Sequence, residues 1–369
     1  MKIAFVANTT WNIYNFRKGL VHHFLSNGDE VLVLTPKDSY TDSVADWGVK
    51  WINTPLNGTG INPIQDLKYL LQLAKIFKKE RPDVVLGYTI KANIYSCLAT
   101  FRVNIPIICN VSGLGTVFLV KGIAGKIAMA LYKMAFRKAS FVFFQNEDDR
   151  DLFVSKVQIP HERMGILPGS GIDLTAFQYS EPNYGGKTDF IMISRLIVEK
   201  GVREFAEAAS YFAEDASIAF TLVGRLDENH SRSISKTELD SWTANGWISY
   251  YEHTDQVKEL IKRHEVVVLP SYREGTPRTL LEGAAIGRAL LATDVPGCKE
   301  VVLDGVNGFL FELKNAKSLV SKIKLYLSLS ADERLKLSKA SRDLVERKYD
   351  ENLVIRSYNE VIHRMTSST

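Results

Sequence analysis

The chain is poor in cysteine. Its three, Cys97, Cys109 and Cys298, are scattered and odd in number. No CxxC pair and no Cys/His cluster occurs, which argues against a disulfide framework or a structural zinc and fits a reducing compartment. No apolar window approaches the length of a membrane span. The apolar start, Ile3-Ala4-Phe5-Val6-Ala7, is too short for a signal-peptide core and reads as a first strand. No G-x-G-x-x-G follows that strand, so the dinucleotide fingerprint is missing. The one D-x-D, Asp149-Arg150-Asp151, sits in an acidic run after a strand. A helix N-terminus explains acids there, and no divalent metal is expected. No nucleic-acid motif is visible.

What remains is an ordinary globular composition of some size. The 369 residues exceed one typical core, so two domains are expected. Apolar residues make up 46% and charged residues 24%, as in soluble proteins. Charge is uneven: residues 1–180 hold 20 Lys and Arg against 14 Asp and Glu, and the remainder 26 against 28. A basic first half suggests an anionic partner, a membrane surface or phosphorylated lipid. Lys121, Lys126, Lys133, Arg137 and Lys138 appear with no acid between them, interleaved with Ile123, Ile127, Met129, Leu131, Met134 and Phe136. Two readings stand: a basic helix on a membrane interface, or a helix with its apolar face on a sheet and its lysines in water.

Short apolar runs alternate with helical periodicity. Strands are expected at 3–7, 31–35, 84–87, 105–110 and 141–145, with helices at 14–25, 64–79, 92–101 and 123–138. After a Pro/Gly-rich break at 181–187 the alternation restarts, with strands at 190–193, 218–223, 248–251, 266–269 and 290–293. Two βαβα halves mean two parallel sheets wrapped by helices, with ligands at the strand C-termini.

The stretch 266–283, VVVLPSYREGTPRTLLEG, organises the second half. A buried strand ends at Pro270. A polar loop follows, then a helix expected from Pro277 to about Ile286, stopped by Gly287. A helix N-terminus after a tight loop suits an anion. Two carboxylates bracket it, Glu274 and Glu282, with seven residues between them. In this setting the pair resembles the E-x7-E signature of family 4 of the GT-B glycosyltransferases. Arg195 and Lys200, in Ser194-Arg195-Leu196-Ile197-Val198-Glu199-Lys200-Gly201, resemble the family's R-x4-K element. Ser170-Gly171-Ile172-Asp173 resembles its N-G-V-D element, with Ser in place of Asn.

The resemblance implies an α/β GT-B fold: two Rossmann-like doubly wound domains facing across a cleft. Residues 1–180 would bind acceptor and 187–345 donor, with 346–369 a helix crossing back. It implies a retaining transferase that moves a sugar, an N-acetylhexosamine on a UDP carrier, to a membrane-associated acceptor. An undecaprenyl-diphosphate-linked sugar in capsule, lipopolysaccharide or exopolysaccharide assembly fits. Glu274, Arg195 and Lys200 would be catalytic. Glu282, Gly275, Thr276, Pro277, Arg278, Thr279, Gly224, Arg225 and His253 would meet the donor. Asn15, Arg17, Lys91, Ser112, Gly113 and Gly115 would face the acceptor; many members carry a His after this fourth strand, and this chain does not. The nucleotide-sugar is a co-substrate, with no other cofactor, and the implied place is cytoplasmic, at the inner face of the membrane. An epimerase of the same fold, and a non-catalytic nucleotide-sugar- or lipid-binding subunit, are the alternatives.

Overall fold

The structure, a computed structural model, describes residues 1–56, 62–101, 103–114, 123–228, 230, 232–252, 254 and 256–366, with backbone alone for 123–128. The chain divides into two compact units, one of residues 1–171 with 351–369 and one of residues 172–350.

The first unit is built on seven parallel strands: β1 (Lys2–Val6), β2 (Glu30–Thr35), β3 (Lys50–Asn53), β4 (Val84–Tyr88), β5 (Ile107–Val111), β6 (Phe141–Phe144) and β7 (Met164–Ile166). They lie in the order β3-β2-β1-β4-β5-β6-β7. Order reverses between β1 and β4, which opens a crevice at their C-terminal ends. Val84–Tyr88 and Ile107–Val111 are buried along their whole length, because helices cover both faces. One covering layer packs Tyr69, Leu73 and Phe77 against the sheet. The other includes the last helix, Glu351–Thr366, through Val354, Tyr358, Val361 and Ile362. The Tyr358 hydroxyl accepts from Asn110 Nδ2 at 3.1 Å, and its ring lies 5.0 Å from that of Phe143.

The second unit has six parallel strands: β8 (Thr188–Ile193), β9 (Ile218–Val223), β10 (Ser249–Tyr251), β11 (Val266–Leu269), β12 (Ala289–Thr293) and β13 (Gly308–Phe311). Their order is β10-β9-β8-β11-β12-β13, so the reversal falls between β8 and β11.

Three differences from the sequence reading have physical causes. β3 and β7 are short edge strands with half-exposed residues, and β13 follows a turn, so none carries the long apolar run of a central strand. The helix expected at 14–25 is two helices, Thr10–Phe16 and Lys18–Ser26, broken at Arg17, whose φ of −130° and ψ of 4° are not helical. The chain changes unit at 171/172 and again at 350/351, rather than at 180 and 346; the Pro/Gly-rich 181–187 lies inside the second unit.

Candidate active site

The loops after β8 and β11 meet at the crevice of the second sheet. The first ends in a 3-10 turn, Val198–Lys200, and Gly201 at φ +72°. A Cβ on Gly201 would stand 2.1 Å from the Pro270 carbonyl oxygen, so only glycine lets the backbones approach this closely. Tyr272 N–H donates to the Glu199 carbonyl at 2.9 Å, and Ser271 Oγ to the same oxygen at 3.2 Å. This zipper places Lys200 Nζ against Glu274 Oε1 as a largely buried ion pair. A third segment supports the carboxylate from below. Glu274 N–H donates to the Pro296 carbonyl at 3.2 Å, and Gly297, at φ +88°, leaves no room for a Cβ beneath the Glu274 and Gly275 carbonyls.

The helix that follows is Arg278–Ile286, with Pro277 as its N-cap in extended conformation rather than its first turn, and Gly287 at φ +86° as its stop. Thr279 Oγ1 donates to the Ile193 carbonyl at 3.1 Å, pinning the helix start to the end of β8. Gly283 faces Val267 so closely that a Cβ would fall 2.7 Å from its Cγ2. Within the helix Arg278 Nε donates to Glu282 Oε1 at 3.0 Å. Burial raises the Glu282 pKa above the ordinary carboxylate value, outweighing the attraction of Arg278.

Gly224 closes β9, where a Cβ would lie 1.9 Å from the Ser194 carbonyl oxygen. Arg195 and Arg225 are exposed, and neither makes an ion pair among the described residues. The second unit thus presents two unpaired guanidinium groups, a Lys–Glu pair and a helix N-terminus at the C-terminal edge of one sheet. That array can hold and neutralise a diphosphate. Gly275, Thr276, Pro277, Arg278 and Thr279 all fall in it; His253 lies outside the described residues.

The first unit differs more from expectation. Lys91 Nζ is paired with Asp66 at 2.9 Å, so it is not a free cation. Arg17 is buried over the Tyr88 ring, 4.1 Å from its centroid, because the helix break turns it inward. Its Nε and Nη1 have no partner among the described residues. Asn15 Nδ2 donates to the Trp11 carbonyl of its own helix at 3.0 Å. Ser112 is exposed after β5 and Gly113 has φ +141°; Gly115 lies outside the described residues. Sequence reasoning missed Thr89. It follows β4 at φ +71°, rare for a β-branched residue, with Oγ1 buried and unpartnered among the described residues. Asn12 Oδ1 is likewise buried without a partner among the described residues. Only backbone geometry could have singled these out.

Lys133, Arg137 and Lys138 are exposed, and Lys138 lies over the Phe101 ring; Lys121 and the Lys126 side chain lie outside the described residues. Among the described residues no group of three His, Cys, Asp or Glu side chains is arranged to hold a metal.

Comparison with known proteins gives two family matches. Residues 175–344 match the model for glycosyl transferases group 1, and residues 16–169 that for a glycosyl transferase 4-like domain. The chain is 31% identical, over 99% of both sequences, to the N,N'-diacetylbacillosaminyl-diphospho-undecaprenol alpha-1,3-N-acetylgalactosaminyltransferase of Campylobacter jejuni. It is 25% identical, over 79% of its own length and 78% of the relative's, to the UDP-Gal:alpha-D-GlcNAc-diphosphoundecaprenol alpha-1,3-galactosyltransferase of Escherichia coli. The crystal structure of a glycosyltransferase from Rickettsia africae superposes with a TM-score of 0.82 at 18% identity, over 100% of this chain and 99% of that one. The two Rossmann-like units are those of the GT-B fold.

Proposed function

The chain belongs to the glycosyl transferases of group 1, with a glycosyl transferase 4-like first half, and from that premise we propose the reaction it carries out. It moves an N-acetylhexosamine from a UDP-linked donor to a hydroxyl of an undecaprenyl-diphosphate-linked sugar, with retention at the anomeric carbon, in the assembly of a bacterial surface polysaccharide. The names of its relatives support the acceptor class, and one of them supports the uridine nucleotide. No other cofactor is assigned.

The observation that carries this reading is the Lys200–Glu274 pair at the switch point of the second sheet. Departure of a nucleotide builds negative charge on the diphosphate. Fixed cations aimed there act mainly in the transition state. Arg195 and Lys200 take that role, which leaves no need for a divalent metal. Glu274 holds Lys200 in place and accepts from hydroxyls of the donor sugar, and Glu282 accepts from those of the ribose. The diphosphate oxygen receives the acceptor proton on the face it leaves, so no enzyme carboxylate forms a bond to the sugar. Asn12, in the helix that follows β1, and Thr89 and Ser112, just past β4 and β5, are polar positions for the acceptor.

The test is transfer from a panel of UDP- and GDP-sugars to a lipid-diphosphate-sugar. Glu274→Gln and Lys200→Met should each lower kcat at least about 100-fold, with melting temperatures close to wild type. Normal turnover in both variants would remove the assignment. Chelation by EDTA should leave the rate unchanged; a rate restored only by Mg²⁺ or Mn²⁺ would refute the metal-free reading.

A further inference from the structure

The helix Pro63–Glu80 has two apolar faces. One is expected: Tyr69, Leu73 and Phe77 are buried against the first sheet. The other faces water. Ile64 is 70% exposed, Leu67 55% and Leu71 61%, at positions i, i+3 and i+7 of one stripe. Single exposed leucines are common, but three aligned on one helix face form a patch. Lys68, Lys75, Lys78 and Lys79 are exposed along the same face, at a helical spacing that continues the stripe. The helix has two acids and both are engaged: Asp66 with Lys91 at 2.9 Å, and Glu80 with Lys50 at 2.6 Å. The exposed face is therefore apolar and uniformly cationic.

Its position in the fold is also informative. The helix leads into β4, a strand parallel to its neighbours, so its first turns lie at the C-terminal edge of the sheet. The ion pair between Asp66 and Lys91 ties those turns to the segment that follows β4. Ile64, Leu67 and Leu71 thus stand at the end of the first unit where its polar crevice opens.

We propose that this face docks the protein on an anionic lipid bilayer, with Ile64, Leu67 and Leu71 entering the headgroup boundary and the four lysines meeting lipid phosphates. Charge complementarity selects the occupant. A protein partner for an all-lysine face would have to supply acids, whereas a bilayer with anionic lipids supplies negative charge and an apolar interior together. Docking there brings the loop after β4 to the surface on which a lipid-linked acceptor is presented. The inference uses burial and charge alone, so it survives if the transfer reaction proves to be a different one.

The experiment is sedimentation of the full chain with phosphatidylcholine vesicles, with and without phosphatidylglycerol, in the absence of any sugar nucleotide. Wild type should bind the mixed vesicles, ignore the neutral ones and release with rising salt. Ile64→Ser, Leu67→Ser and Leu71→Ser combined should weaken binding at least about tenfold. Lys68→Gln, Lys75→Gln, Lys78→Gln and Lys79→Gln combined should remove the preference for phosphatidylglycerol. Both variants should keep the wild-type melting temperature; Leu67→Ser alone serves if either does not, and should weaken binding measurably. Lys133→Gln, Arg137→Gln and Lys138→Gln combined should bind like wild type. Wild-type indifference to both vesicles would overturn the proposal. So would unchanged binding by the serine variant, or loss of binding confined to the Lys133 variant. If the serine variant instead dissociates a dimer that wild type forms, and vesicles bind neither, the face is a contact between copies and the proposal fails.

Discussion

Among the side chains of the second unit whose pKa values are governed by burial, Glu282 and His264 each make a prediction. Glu282 is raised by burial despite Arg278 beside it. Glu282→Gln keeps the side chain's shape but removes the charge that pairs with the largely buried Arg278, so it should cost about 1–3 kcal/mol of stability in denaturant melts. It should weaken UDP binding, read by calorimetry. In the wild type that affinity should fall on acidification at a higher pH than an ordinary carboxylate would give. His264 shows the opposite sign. Its Nδ1 donates to the Leu260 carbonyl at 2.7 Å, so Nε2 is the acceptor for the Thr221 hydroxyl at 2.8 Å. Burial lowers its pKa. The folded pKa lies below the unfolded one, so the stability this neutral ring supports is whole above about pH 6.5 and drains away as the pH falls toward the folded value. Thermal melts across that range should show the loss, and His264→Gln should flatten it. At this scale the motif spacing singled out Lys200 and Glu274, which lie together in the fold. The fates of Lys91 and Arg17 were not legible. The carboxylate that neutralises Lys91 is 25 residues away in sequence, and the ring over which Arg17 is buried is 71 residues away.

The site is held together by loops whose glycines differ in kind. Gly28 and Gly48 have positive φ but open space around them, so alanine there should cost only about 1 kcal/mol of backbone strain. Gly201 has positive φ and the Pro270 carbonyl where its Cβ would go. Gly201→Ala should cost clearly more, about 2 kcal/mol or above, and should lower kcat by displacing Lys200 from Glu274. Denaturant melts and steady-state rates on Gly28→Ala and Gly201→Ala together separate the two effects; equal costs would mean the loop contact is slack. The central strands of both sheets were readable as largely apolar runs, since burial on two faces leaves few polar positions, Asn110 and Thr221 among them. β3 and β7 escaped because these edge strands are short and half wet, and β13, though mostly buried, because it is only four residues long and opens on a glycine; pairing rather than composition makes them strands.

For the molecule as a whole, the two-domain reading followed from length and from the repeated alternation. The boundary did not. Pro and Gly at 181–187 mark a turn inside the second unit, while the first unit ends at Gly171, where a Cβ would strike the Glu351 backbone at 2.4 Å. That contact lies within the first unit, between its last residue before the crossing and the first turn of the helix that returns to it. Tyr358→Ala should therefore destabilise the first unit by about 4 kcal/mol and leave the second untouched, seen in calorimetry as one transition shifted and one unchanged. The same return has a consequence for how the protein is made. Residues 172–350 are all synthesised before the helix Glu351–Thr366 leaves the ribosome. The later-encoded half can finish folding while the earlier one still waits for this helix, its sheet uncovered where Tyr358 will sit, and so open to capture by a chaperone until the helix emerges.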